Sequence, residues 1–100
     1  MSSVQEAQIL EHNLQTLLMQ RQSIELELAE ISNAHAETLS SKGKVYQVIN
    51  SIMVESEKEK ILSVLSEKKR ILEMQLSSVE KQQKLLELKM SSFAKANSQH

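Results

Sequence analysis

One hundred residues with a formal net charge of −1 contain no cysteine, no proline, one glycine and two aromatic residues, Tyr46 and Phe93. That excludes disulfide frameworks, thiol catalysis, thiolate metal sites and a glycine-rich phosphate loop, and it does not describe a compact globule with a thick core. Every acidic residue is Glu and the apolar residues are mostly Leu, Ile and Met, so the composition favours long helices.

The first helix is expected from about Ser3 to about Leu39. Ser2 or Ser3 can cap it, and Glu6 completes a Ser-x-x-Glu box from Ser3. At about 1.5 Å per residue this is a rod of roughly 50 Å. Ser40, Ser41 and Gly43 signal its end, with Gly43 placed where a left-handed residue after the helix is wanted. The following KVYQVIN and IMVE break the helical period and are rich in Val, Ile and Tyr, so they predict a β-hairpin over about residues 44–55. Its strands are Lys44–Ile49 and Ile52–Glu55, with Asn50 and Ser51 at the turn, Asn being tolerant of positive φ. A second capping box, Ser56 with Glu59, precedes a helix expected over about residues 57–93. The tail, residues 94–100, loses the repeat and is expected to fray.

Two heptad patterns run through the helices in mirror image. Ala7, Leu10, Leu14, Leu17, Arg21, Ile24, Leu28, Ile31, His35 and Thr38 step by threes and fours. So do Leu62, Leu65, Lys69, Leu72, Leu76, Val79, Gln83, Leu86, Met90 and Phe93. Opposed members have position numbers summing to 100, as Leu28 with Leu72 or Leu10 with Met90, which is what two antiparallel helices folded about a turn at Asn50 require. Half of the opposed pairs contain one polar member and none sets polar against polar. Residues 1–42 carry six Glu against Arg21 and Lys42, while residues 57–100 carry nine Lys or Arg against six Glu, so the two arms attract one another. The expected fold is all-α dominated, a single domain over residues 1–100: an antiparallel two-helix coiled-coil hairpin with a short β-hairpin between the helices.

The segment KVYQVINSIMVESEKEKILSVLSEKKRILEMQLSSVEKQQKLL resembles the β-class subunit of prefoldin. In that family the hairpin reads approximately V-Y-K-x-V-G-x-I-L-V. Val45, Tyr46, Ile49, Ile52, Met53 and Val54 fall on its apolar places, and Leu72, Glu73, Val79, Glu80, Lys81 and Gln82 echo the pattern of the second helix. Asn50 stands where the family usually has Gly, and Glu55 where a basic residue is common. The resemblance implies an ATP-independent co-chaperone in the cytoplasm, built as a hetero-hexamer of two α-class and four β-class subunits. Hairpins join into a barrel, coil ends grip unfolded polypeptides, and the cargo passes to a group II chaperonin.

On that reading Val45, Tyr46, Val48, Ile49, Ile52 and Val54 form the oligomer interface. The hairpin carries apolar residues on both faces and is marginal alone, so it needs partner strands. Ile9, Leu10, Leu86, Met90 and Phe93 are the expected contacts to unfolded protein. They lie where Val4, Leu85 and Leu88 also supply more apolar residues than a two-helix seam consumes. The polar seam members Arg21, Lys69 and Gln83 either fix register and antiparallel pairing or loosen the arms around cargo.

No catalytic constellation, cofactor or metal site is expected. His12, His35 and His100 have no metal-ligand spacing, and His35 falls on the seam opposite Leu65. The basic run Lys68, Lys69 and Arg70 is flanked by Glu67 and Glu73 and lacks interleaved aromatics, so nucleic-acid binding is not expected. No apolar stretch approaches the roughly 18 residues of a membrane span, and MSSVQEAQ has neither a basic leader nor an apolar core, so a soluble cytoplasmic protein is expected. The rival readings are a structural coiled-coil adaptor or dimerisation module with a passive central linker, and a helical hairpin serving RNA polymerase or tRNA. The second lacks a paired acidic tip or a basic arm.

Overall fold

The computed structural model describes residues 2–98. Two helices, α1 (Ser3–Ser40) and α2 (Lys58–Ser98), flank a two-stranded antiparallel sheet of β1 (Val45–Ile49) and β2 (Ile52–Ser56). The chain divides into two compact units. The hairpin unit is Leu26–Met74, and the terminal unit is Met1–Glu25 with Gln75–His100.

Within each unit the seam follows the heptads. Every predicted seam position is buried or half-buried except Lys69. Leu17 and Val79 in the terminal unit and Leu72 in the hairpin unit are the buried apolar residues, at 7–8% exposure. Two helices share a single stripe of contact, so among the described residues no side chain is fully enclosed. Lys69 is exposed because its ammonium keeps its hydration and its long stem carries it off the seam.

The helix ends differ from the sequence expectations in instructive ways. The N-terminal box forms one residue earlier: Gln5 N–H donates to Ser2 Oγ at 3.2 Å, and Ser2 N–H donates to Gln5 Oε1 at 3.1 Å. Gln at the third helical position serves as well as Glu, and this pairing fits a helix starting at Ser3. Gly43 does not take a positive φ. The end of α1 is instead closed by Ser41 N–H donating to the Thr38 carbonyl at 3.2 Å and by Lys58 Nζ donating to the Ser41 carbonyl at 2.8 Å. A lysine from α2 thus satisfies a carbonyl left without an intrahelical partner and complements the negative end of the α1 dipole.

At the start of α2, Ser56 is taken by the sheet, where it pairs with Val45, so the Ser56–Glu59 box does not form. The Glu57 carbonyl accepts the first turn's bond from Ile61 N–H at 3.1 Å, and Glu59 places negative charge in that turn. The expected fraying from residue 94 is corrected through residue 98: α2 continues to Ser98 because Ala94, Lys95 and Ala96 are strong helix formers and no breaker intervenes. Residues 99 and 100 of that tail lie outside the described residues.

The hairpin register is Val45 with Ser56, Tyr46 with Glu55, Gln47 with Val54, Val48 with Met53 and Ile49 with Ile52. Asn50 and Ser51 have φ of 48° and 67°. Positive φ at both central residues is the type I′ turn, whose twist matches that of paired strands. Asn tolerates this region, whereas Ser there costs more than Gly would. Ser51→Gly creates the preferred Asn-Gly turn and is expected to stabilise the fold by about 0.5–1 kcal/mol, read as a higher melting temperature. An unchanged or lower value would show that the turn is not limiting. In the seam, Leu72→Ala is expected to cost about 2–3 kcal/mol in denaturant unfolding. Its exposed neighbour, in Ile71→Ala, is expected to cost less than about 1 kcal/mol.

Candidate functional site

Two surfaces stand out, one in each unit. In the hairpin unit, directly opposed residues share a face of the sheet. Val45, Gln47, Ile49, Ile52, Val54 and Ser56 form one face, and Tyr46, Val48, Met53 and Glu55 form the other. The apolar members are exposed on both: Tyr46 53%, Val48 66%, Ile49 48%, Ile52 64%, Met53 73% and Val54 44%. Val45 alone is half-buried, where β1 borders a groove walled by Ala34 and Thr38 of α1 and Ile61 and Leu65 of α2. Both strands are edges, and Lys44 Nζ lies 3.8 Å from Glu55 Oε2 across the open end of the ladder. Fully burying a Val or Ile side chain is worth roughly 1.5–3 kcal/mol, so this hairpin holds unspent burial on two faces and two edges. Met53, absent from the interface set expected from sequence, lies on the same exposed sheet face as Tyr46 and Val48. Its place opposite Val48 is the signal, and reading the register from the Asn50–Ser51 turn finds it.

In the terminal unit the expected contact residues separate into two groups. Ile9 is 45% exposed, and Val4, Leu85 and Leu88 are exposed at 61–66%. Leu10, Leu86, Met90 and Phe93 are half-buried in the seam. Ile9, Leu10 and Phe93, with Glu6, line a shallow apolar groove, so the structure brings members of both groups together. Further exposed apolar residues were not marked by the seam pattern: Leu18 and Met19 in the terminal unit, and Leu26, Leu39, Val64, Ile71 and Met74 in the hairpin unit. They fall off the seam, and several repeat with the same seven-residue period beside it, Val64 with Ile71 and Leu85, and Met74 with Leu88.

The polar residues have structural partners. His35 Nε2 and Ser66 Oγ are 3.3 Å apart, so His35 is a seam residue joining the helices of the hairpin unit. Arg70 donates to both carboxylate oxygens of Glu67, at 3.0 and 2.6 Å, which neutralises part of the basic run. The hydrogen bonds from Arg70 hold the Glu67 carboxyl below its usual range. A carboxyl lowered in this way supports the folded state above its ordinary titration range and loses that support as the pH falls through the lowered value. Arg21 is pushed further up, first by its hydrogen bond to Glu25 and also by the carboxylates of Glu80 and Glu87, so it stays charged. Among the described residues no group of His, Cys, Asp or Glu is arranged to hold a metal ion, and no helix is long and apolar enough to cross a membrane.

A family model for prefoldin subunits matches residues 2–100. The chain belongs to the prefoldin subunit family. Prefoldin subunit β of Thermococcus kodakarensis is 33% identical over 75 residues, covering 73% of this chain and 64% of that protein. Prefoldin subunit β of Saccharolobus islandicus is 30% identical over 78 residues, covering 76% and 62%. The chain thus spans less than two thirds of the length of these curated prefoldin relatives. The crystal structure of the prefoldin β subunit from Thermococcus strain KS-1 superposes with a TM-score of 0.89 at 28% identity, over 94% of this chain and 84% of that one. The helix, hairpin, helix order with its two-residue turn is therefore a prefoldin β-subunit fold. The resemblance carried by the apolar hairpin identifies the right family.

Proposed function

We propose that this chain is a β-class subunit of a prefoldin-type co-chaperone, an ATP-independent holdase of the cytoplasm. The hairpin joins those of neighbouring subunits into a barrel, in a hetero-hexamer of two α-class subunits and four copies of this one. The terminal units hold unfolded polypeptides, which are delivered to a group II chaperonin. The observation that carries this reading is the two-stranded sheet, apolar and exposed on both faces with both edges unpaired. Such a sheet is marginal until other strands cover it. A passive linker would have no reason for a five-pair register closed by a type I′ turn, which weighs against the adaptor reading.

The reading assigns the two apolar groups of the terminal unit different availability. Ile9, Leu85 and Leu88 meet cargo on the outer surface and Leu10 and Phe93 through the groove they share with Ile9, whereas the remaining area of Leu10, Leu86, Met90 and Phe93 is reached only when they leave the seam. Contacts of this kind are weak singly and gain from several subunits acting on one chain through effective concentration.

Native mass after mixing with an α-class subunit tests the assembly. The expected particle holds four copies of this chain and two of the other, and Val48→Asp is expected to abolish it while leaving the helical signal in place. A stable two-chain coil that ignores the α-class subunit would favour the adaptor. For the grip, the combined Ile9→Ser, Leu85→Ser and Leu88→Ser variant is expected to lose most suppression of aggregation of an unfolded model protein, with its melting temperature nearly unchanged because these residues lie off the seam. Full protection by that variant would remove the outer surface from the site.

A further inference from the structure

The terminal unit carries one polar layer across its otherwise apolar seam. Arg21 of α1 divides its guanidinium among three acceptors. Nε donates to Glu25 Oε1 at 2.8 Å, Nη1 donates to Gln83 Oε1 of α2 at 2.9 Å, and Nη2 lies 3.6 Å from Glu80 Oε1 of α2. Gln83 is itself held, its Nε2 donating to Glu87 Oε1 at 2.7 Å, so the amide oxygen is turned toward Arg21. The apolar seam is only partly closed on both sides of this layer, Ile24 and Leu76 being half-buried on the side away from the chain termini. Leu17, beside the layer, is buried, but Leu10, Leu14, Leu86, Met90 and Phe93 are half-buried. One groove runs alongside Leu17 and Leu86, and a second alongside Leu10 and Phe93.

We propose that the Arg21–Gln83–Glu80 layer is a latch on the terminal segments of the two helices. Engaged, it holds them side by side and keeps the seam residues turned inward. Released, it lets the segments part, and Leu10, Leu86, Met90 and Phe93 become a second apolar surface for an unfolded chain. This rests on the reading of the terminal unit as the cargo-holding part. The chemistry suits a reversible device. The Arg21 side chain is 36% exposed, so water competes for its donors, and exposed charged contacts are individually weak. A single planar guanidinium serves both Gln83 and Glu80, so one side-chain movement breaks every bond that it makes to α2. An aliphatic residue at the same seam position would close the helices without such a release.

Hydrogen exchange on the full chain, free and assembled, tests the latch. In Arg21→Ala the amides of residues 7–18 and 84–94 are expected to exchange about tenfold faster, while those of 26–40 and 58–74 keep their rates. Arg21→Lys, whose ammonium cannot span the same acceptors, is expected to fall between, and Lys69→Ala, removing a seam lysine with no such partners, to change neither region. Unchanged or slower exchange in the terminal segments, or equal acceleration in both regions, would overturn the latch. Suppression of model-protein aggregation is expected to rise in Arg21→Ala. Faster local exchange with unaltered suppression would sink the link between seam and cargo, and it would leave the outer-surface reading to the Ile9, Leu85 and Leu88 variant.

Discussion

Everything in this molecule depends on a contact one side chain wide. In each unit α1 and α2 touch along a single heptad stripe, and such a stripe buries Leu17, Leu72 and Val79 and half-buries most of its other members. Two helices and two strands leave no third layer, so apolar side chains off the stripe face outward whatever their hydrophobicity. The exposed surface is a consequence of thinness. The hairpin supplies faces and edges that other strands can complete, and the terminal unit supplies a diffuse apolar surface.

The thinness also decides how the helices are kept in register. A stripe of Leu opposite Leu is nearly indifferent to sliding by a heptad, because an equivalent set of contacts is recovered at each step. Polar members remove that degeneracy. Arg21 finds Gln83 and Glu80 only at one alignment of the terminal unit, and His35 finds Ser66 only at one alignment of the hairpin unit. Lys58, reaching the Ser41 carbonyl, fixes the separation of the two helix ends on either side of the hairpin. These contacts add little stability, being exposed or half-exposed, yet each excludes the slipped arrangements that the apolar residues tolerate.

How much of this was legible in the sequence follows from which features are periodic. The seam was, in that every expected position but Lys69 is buried or half-buried, because heptad spacing fixes which side chains share one face of a helix. The hairpin was legible because Val, Ile and Tyr interrupt the helical period and Asn50–Ser51 sit where two positive φ values are needed. Helix ends were less so. Gly43 reads as a left-handed stop, yet Lys58, distant in sequence, supplies the bond that makes such a stop unnecessary. Ser56 reads as a cap, yet the strand claims it, since a ladder position opposite Val45 competes with a capping role. Both errors come from judging a residue by its neighbours in the chain when its partner lies elsewhere.

The candidate site was legible to a different depth in each unit. At the hairpin, alternation assigns each residue to a face, Met53 included, and the register adds which residue stands opposite which, Met53 with Val48. In the terminal unit the sequence names the apolar residues without saying which are spent on the seam, and the answer separates Ile9, Leu85 and Leu88 from Leu10, Leu86, Met90 and Phe93. That separation carries a consequence for mechanism. A surface formed only by the outer residues is fixed in area, whereas one that can borrow from the seam grows when the helices part, at the cost of the seam contacts themselves. The half-buried seam residues lose only part of their burial on parting, so opening the seam costs less than exposing a fully closed core would.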